Sequence, residues 1–182
     1  MNTTIGPGEH RPRAPIWTVW HTARMDQTDR DGAAVRFPPP LVYVGAVIAG
    51  VLLHALVLPL RLELASSVRI VLAAAAALLG LALMAGAFRL FKRTGQDPKP
   101  WKATPEIIST GVYRFTRNPM YVSMALLQIA IGVGLENGWI IALAPLVLVI
   151  IYAIAIRHEE AYLERKFGGV YIEYKRSVRR WV

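Results

Sequence analysis

The chain predicts an all-α, polytopic membrane protein: about four transmembrane helices followed by C-terminal interfacial helices on the cytoplasmic side. Three observations lead there. Hydrophobic residues make up 54% of the 182 positions and charged residues only 18%, with a mean hydropathy of +0.38, high for a soluble domain. The apolar residues are also clumped, since 41–60, 70–88, 121–135 and 139–156 contain no Asp, Glu, Lys or Arg. The third observation is the placement of the basic residues between those runs.

A span needs roughly 17–25 apolar residues to cross about 30 Å of hydrocarbon. The first, second and fourth runs reach that length. The third reaches it if Pro119 starts the helix and the turn falls at Glu136-Asn137-Gly138. Expected spans are therefore about 41–60, 68–90, 119–136 and 139–157, with a cytoplasmic cap at 157–182. The length fits a single domain, here 37–182, and residues 1–36, rich in Gly, Pro, Arg, Asp and Thr, read as a poorly ordered tail.

The net charge of +9 raises the question of nucleic acid, and its distribution answers it. Of the 21 Lys and Arg, five lie in the tail, two between the first spans (Arg61, Arg69), seven in 89–118, none at the Glu136 turn and seven after Ile156. Four spans place the tails and the central segment on one side, which then holds 19 of the 21. The positive-inside rule makes that side the cytoplasm. The expectation is thus a protein of the cytoplasmic (inner) membrane with both termini in the cytoplasm. Topology and contact with anionic membrane lipids account for the basicity. No recognised nucleic-acid motif accompanies it, so no nucleic acid is expected, and no obligate protein partner is indicated. The first 36 residues lack an apolar h-region, so no cleavable signal peptide is expected. The absence of cysteine excludes disulfides, thiolate metal ligands and thiol nucleophiles, and no metal site is expected.

Each element has local reasons. "RFPPPL", Arg36 to Leu41, is a stiff lead into span one, because proline is tolerated at a helix start. Span two runs on through "RLFKRTG", with Arg89, Lys92 and Arg93 at the interface and Gly95 as the stop. "QDPKPWKATPEIISTGVY" carries three prolines and cannot be one helix, and Trp101 within it suits headgroup depth. Spans three and four form a tight hairpin about "ENG", with Trp139 at the far interface and Gly132 and Gly134 allowing close helix contact. "GVGLENG" only superficially resembles a nucleotide-binding glycine motif, since no strand precedes it. After Ile156, residues 157–167 read as a helix, Gly168-Gly169 as a break and 170–180 as a second short helix. Leu163, Phe167, Tyr171 and Tyr174 would line one side, with Arg165, Lys166, Lys175, Arg176, Arg179 and Arg180 toward lipid headgroups. His54 and Gln128 are polar residues inside spans, candidates for function but more simply helix–helix hydrogen bonds.

Two constellations exceed a membrane-anchor account. Glu159 and Glu160 stand at the cytoplasmic mouth of span four, where basic residues are the rule. They either form salt bridges with the basic cap or bind cationic and hydroxylic ligand groups. "YRFTRNPMY", residues 113–121, places Arg114 and Arg117 three apart before span three. These arginines either collar the membrane or recognise a carboxylate or phosphate. The hairpin returns the chain to its starting side, so the arginines and glutamates meet on one face, where a zwitterionic ligand fits between them.

"GVYRFTRNPMY" followed by "EEAYLERKFGGVYIEYKRSVRRW" closely resembles the isoprenylcysteine carboxyl methyltransferase family, integral-membrane enzymes related to the phospholipid methyltransferases. The resemblance covers roughly 36–182. In that family the first motif reads Gly-Pro-Tyr-Arg, then Arg-His-Pro-x-Tyr. Gly111, Tyr113, Arg114, Arg117, Pro119 and Tyr121 match it, while Val112 replaces the proline and Asn118 the histidine. Asparagine cannot act as a titrating base. The second motif matches at Glu159, Glu160, Leu163, Phe167, Gly168, Tyr171 and Tyr174. The resemblance implies methyl transfer from S-adenosyl-L-methionine to a lipophilic or amphiphilic acceptor, by carboxyl O-, N- or S-methylation. It implies Arg114, Arg117 and Asn118 as catalytic residues. It further implies Tyr113, Arg117, Pro119, Tyr121, Glu159, Glu160, Leu163, Tyr171 and Tyr174 around the cofactor, with the acceptor arriving laterally from the bilayer. A non-catalytic membrane protein of the same fold, binding lipid or a partner, is the alternative. A sterol-reductase-like enzyme is a further one, disfavoured by the short chain and the glutamate pair.

Overall fold

The computed structural model describes residues 32–35 and 37–181, and every regular element among them is helical. Arg36 and residues 1–31, most of the expected tail, lie outside the described residues. Residues 32–35 belong to the folded part rather than to a tail. Ala33 and Val35 are buried in the core, and the Ala33 amide donates to the Pro100 carbonyl at 3.0 Å.

Helix α1, Pro39–Leu56, has proline in its first turn and stops three residues before Pro59. It is shorter than the expected 41–60 because the residue preceding a proline avoids helical backbone. Helix α2, Ser66–Thr94, ends where Gly95 adopts the left-handed conformation (φ 68°) expected of a stop residue. The proline-rich linker has no regular element until a 3-10 turn at Gly111–Arg114. Helix α3, Pro119–Gly134, begins at Pro119 as expected. Helix α4, Gly138–Ile151, is capped by Asn137, whose Oδ1 accepts from the amides of Trp139 and Ile140. A π-helical turn, Tyr152–Ile156, leads without a break into α5, Arg157–Phe167. Gly168 then separates α5 from α6, Gly169–Ser177.

Three helices are long and apolar enough to cross a membrane: Pro39–Leu56, Ser66–Thr94 and Gly138–Phe167. Of the last, the apolar part up to Ile156 is the spanning part, and charged α5 continues beyond it. The fourth expected span is not confirmed. Helix α3 has 16 residues, about 24 Å at 1.5 Å per residue, short of the roughly 30 Å of hydrocarbon. Outward positions such as Leu56, Val71, Leu78 and Val149 are exposed and apolar, as lipid-facing surfaces must be.

Helix α3 lies between α2 and α4, and α1 packs on α4. Gly50 lets α1 and α4 approach closely, since a Cβ there would fall 2.5 Å from Ile140 Cγ1 and 2.9 Å from the Ile140 backbone. Asn137 Nδ2 donates to the Gly50 carbonyl at 3.1 Å, and Arg69 pairs with Glu136 at the same end of the bundle. Trp139 Nε1 donates to Leu58 O at 2.8 Å. Gln128 makes the expected interhelical bond, Nε2 to Ile140 O at 2.8 Å. His54 does not, and its Nδ1 has no partner among the described residues. The opposite end holds the main core, in which Tyr43, Tyr121, Ala125, Ile151 and Tyr162 pack together beneath Ala33 and Val35. The two quoted motifs, with Arg117, Glu159 and Glu160, gather at that end.

Candidate active site at the polar end of the bundle

Local backbone geometry delivers the first motif. After the 3-10 turn, Asn118 leaves helical backbone (φ −129°, ψ 54°) because Pro119 follows it. The segment 116–118 is held from behind by an extended strap after α6. Arg117 N donates to Arg179 O at 3.0 Å, and both Thr116 Oγ1 and Asn118 Nδ2 donate to Arg180 O at 3.0 Å. This strap replaces the last part of the expected 170–180 helix. Val178 is already extended (φ −126°, ψ 133°), and the carbonyls freed there satisfy the 116–118 donors.

The π-helical turn delivers the second motif. It accommodates an additional residue in the helix, so side chains beyond it are rotated by about one residue's step of 100° relative to a continuous α-helix. Glu159 and Glu160 thereby face inward. Glu160 is buried and takes two arginines. Arg117 Nη2 lies 3.1 Å from its Oε1, and Arg180 grips it with a two-point fork, Nε to Oε1 and Nη2 to Oε2, both at 3.0 Å. The Arg180 guanidinium also sits 4.6 Å from the Tyr152 ring centre. Glu159 instead accepts from the Tyr121 hydroxyl and has no cationic partner among the described residues. Tyr121 is fixed in turn by Tyr43, whose hydroxyl donates to the Tyr121 carbonyl at 2.9 Å.

These groups open onto a cavity of about 370 Å³, within the size range of small-ligand pockets. Its polar lining is Arg117, Asn118, Glu159, Glu160 and the tyrosines 113, 121, 171 and 174. Its apolar lining is Pro38–Pro40 at the start of α1, Phe88 and Phe91 at the end of α2, Met120 and Met124 of α3, and Ile107 and Ile108. Linker residues between Gln96 and Thr104 also line it, and the Thr104 amide donates to the Tyr162 hydroxyl at 3.1 Å. Tyr174 Oη donates to Tyr113 O at 2.8 Å and joins α6 to the first motif.

Charge inside the cavity is unevenly satisfied. Arg117 has a side-chain exposure of 7%, yet its Nε and Nη1 are buried without a partner among the described residues. Such atoms cost about 1–3 kcal/mol each unless something accepts from them. Burial pushes the Glu159 carboxyl up to about 7, aided by Glu160 and opposed by the Tyr121 hydrogen bond. Burial likewise raises Tyr113 and Tyr171 and takes Tyr174 up to about 12, so these rings remain neutral phenols. The Glu160 hydrogen bond raises Arg180.

Ten of the eleven residues expected at the site line this cavity: Tyr113, Arg117, Asn118, Pro119, Tyr121, Glu159, Glu160, Leu163, Tyr171 and Tyr174. Arg114 does not. It is exposed at the end of the 3-10 turn, because that turn points successive side chains in different directions. Arg180, expected at lipid headgroups, is instead part of the ion-pair cluster, and Phe91 and Tyr162 also line the cavity. Nothing in the spacing of "KRSVRRW" distinguishes Arg180 from its basic neighbours.

The donor set fits S-adenosylmethionine. The two unpartnered nitrogens of Arg117, Nε and Nη1, suit a carboxylate, Glu159 suits an ammonium or ribose hydroxyls, and neutral aromatic rings suit a sulfonium. An uncharacterised protein of Haemophilus influenzae is 38% identical over 63 residues, which is 35% of this chain and 100% of that protein. The sequence model of the phospholipid methyltransferase family matches residues 68–169, more than half of the chain, and takes in Arg117, Glu159 and Glu160 of the cavity lining. This chain is a membrane protein that belongs to the phospholipid methyltransferase family.

Proposed function

We propose that the protein transfers a methyl group from S-adenosylmethionine to an amphiphilic or small hydrophobic acceptor at the cytoplasmic face of the inner membrane. The observation that carries this reading is the juxtaposition, in one cavity, of two side chains unsatisfied among the described residues: Arg117 at its buried Nε and Nη1, and Glu159, which has no cationic partner. Together they complement a zwitterion. When bound, S-adenosylmethionine supplies an activated methyl group on a sulfonium.

The residues of this chain supply position. Arg117 takes the cofactor's carboxylate, Glu159 its ammonium or ribose, and Tyr113, Tyr171 and Tyr174 complete the polar lining. Orientation of two reactants in one site is the main source of rate for an in-line displacement. The apolar lining, at the start of α1 and the end of α2, receives the acceptor's hydrocarbon. Those two helices make no interface comparable to α2 with α3 or α1 with α4, so an acceptor has a lateral route from lipid. A carboxylate acceptor needs no base, whereas an amine or thiol must lose a proton, and Glu159 Oε is the proton acceptor at hand. Asn118 has its amide engaged by the strap and holds the motif in place. Membrane lipids and the methyl acceptor are the partners this reading calls for.

The test is calorimetric titration of the detergent-solubilised, folded protein with S-adenosylmethionine and S-adenosylhomocysteine. Binding of both is expected, followed by transfer of labelled methyl to a panel of lipids, amines and thiols. A folded protein that binds neither would overturn the reading in favour of a non-catalytic lipid- or partner-binding role.

A further inference from the structure

Arg180 and Arg117 share one counter-charge, Glu160. Glu160 has two carboxylate oxygens. Arg180 holds both, Nε on Oε1 and Nη2 on Oε2 at 3.0 Å each, and Arg117 makes a single contact, Nη2 to Oε1 at 3.1 Å. In that arrangement Nε and Nη1 of Arg117 have no acceptor among the described residues although the side chain is more than nine-tenths buried. Without Arg180, Oε2 would be free to accept from Arg117. A two-point arginine–carboxylate fork is the stronger geometry, so Glu160 would then claim a further N–H donor of Arg117 that is unpartnered in this arrangement. The strap fixes Arg180 from its own backbone, since its carbonyl accepts from Thr116 and Asn118.

We propose that Arg180 is a positioning residue: by occupying Glu160 it keeps Nε and Nη1 of Arg117 available to the carboxylate of the methyl donor. This rests on the cofactor reading above and adds to it a residue that is not among the matching positions of either motif.

The experiment separates the two. The full chain in detergent is titrated with S-adenosylmethionine and with its decarboxylated analogue, which keeps the adenosine, sulfonium and amine. A charge-assisted hydrogen bond is worth about tenfold or more in affinity, so the wild type binds the intact cofactor at least about tenfold more tightly than the analogue. Arg180→Gln is expected to lose that preference by weakening the intact cofactor about tenfold while leaving the analogue within about twofold. Arg180→Lys, which keeps the charge and lacks the fork, is expected to fall between, and it decides the matter if Arg180→Gln does not fold. Equal weakening of both ligands marks a merely structural arginine and overturns the proposal. An unchanged preference in the variants, or none in the wild type, also overturns it. A folded wild type that binds neither ligand refutes the cofactor reading itself.

Discussion

Glu159 and Glu160 are consecutive in the chain and stand in opposite electrostatic settings: Glu160 is held by Arg117 and Arg180, whereas Glu159, among the described residues, is bonded by the hydroxyl of Tyr121 and by no cation. One carboxylate builds the site and the other faces what enters it, so identical substitutions at the two positions have different consequences.

Glu160→Gln leaves Arg117 buried without its counter-charge. Breaking a buried pair costs about 3–5 kcal/mol. Arg180 is one-third exposed and recovers solvation, which puts the expected loss near the lower end, about 3 kcal/mol. Glu159→Gln removes an uncompensated carboxylate and is expected to keep wild-type stability at pH 8 while weakening S-adenosylhomocysteine binding. Thermal unfolding in detergent, alongside calorimetric titration, checks both halves.

The elevated Glu159 carboxyl makes cofactor affinity depend on pH. Its ionised form is the one that attracts an ammonium, and it is populated above about 7. Affinity for S-adenosylhomocysteine is therefore expected to rise about tenfold between pH 6 and 8, and Glu159→Gln flattens the profile. Tyr121→Phe removes the hydrogen bond that favours the carboxylate and moves the midpoint upward. The apo protein shows the opposite trend. A carboxyl raised from 4.5 contributes stability that is fully present below 4.5 and is lost as pH rises through about 7. Unfolding midpoints measured at several pH values, with and without ligand, test the sign.

Asn118→Ala tests whether that residue is structural. It removes one bond to the Arg180 carbonyl, an expected loss of about 0.5–1.5 kcal/mol, with the pH profile of methyl transfer unchanged. Removal of a general base would instead lower the rate about a hundredfold or more and alter the profile.

Gly50→Leu places a side chain against the Ile140 backbone, where even a Cβ would stand 2.9 Å from Cα and N. Overpacking of this kind costs about 1–3 kcal/mol. A lowered unfolding temperature is expected, with cofactor affinity per folded molecule retained because Gly50 lies at the other end of the bundle.

Much of this architecture is legible in the sequence because its causes are local. Charge-free runs define the helices, Gly95 stops α2, and "ENG" turns α3 into α4. The meeting of Arg117 with Glu160 is also legible, since a helical hairpin returns the chain to its starting side. Other features depend on contacts that no pattern of side chains encodes. The strap is made largely by the carbonyls of Arg179 and Arg180, and every residue has a carbonyl. Arg114 and Arg117 look equivalent on a helical spacing, but a 3-10 turn and the residue before a proline separate them, one to solvent and the other to the cavity. The burial of Ala33 and Val35 likewise arises from contact with the linker and bundle rather than from any periodicity of their own.

The π-helical turn at Tyr152–Ile156 gives the long helix from Gly138 to Phe167 two separate angular registers. A helical wheel drawn continuously through it misassigns every side chain past the turn by about 100°. Deleting one residue within 152–156 would restore an unbroken α-helix, keep the hydrocarbon-facing half intact and swing both glutamates off the cavity wall. The bundle would persist as a lipid-soluble scaffold with its polar chamber disassembled, which makes that single deletion a clean way to part folding from ligand capture.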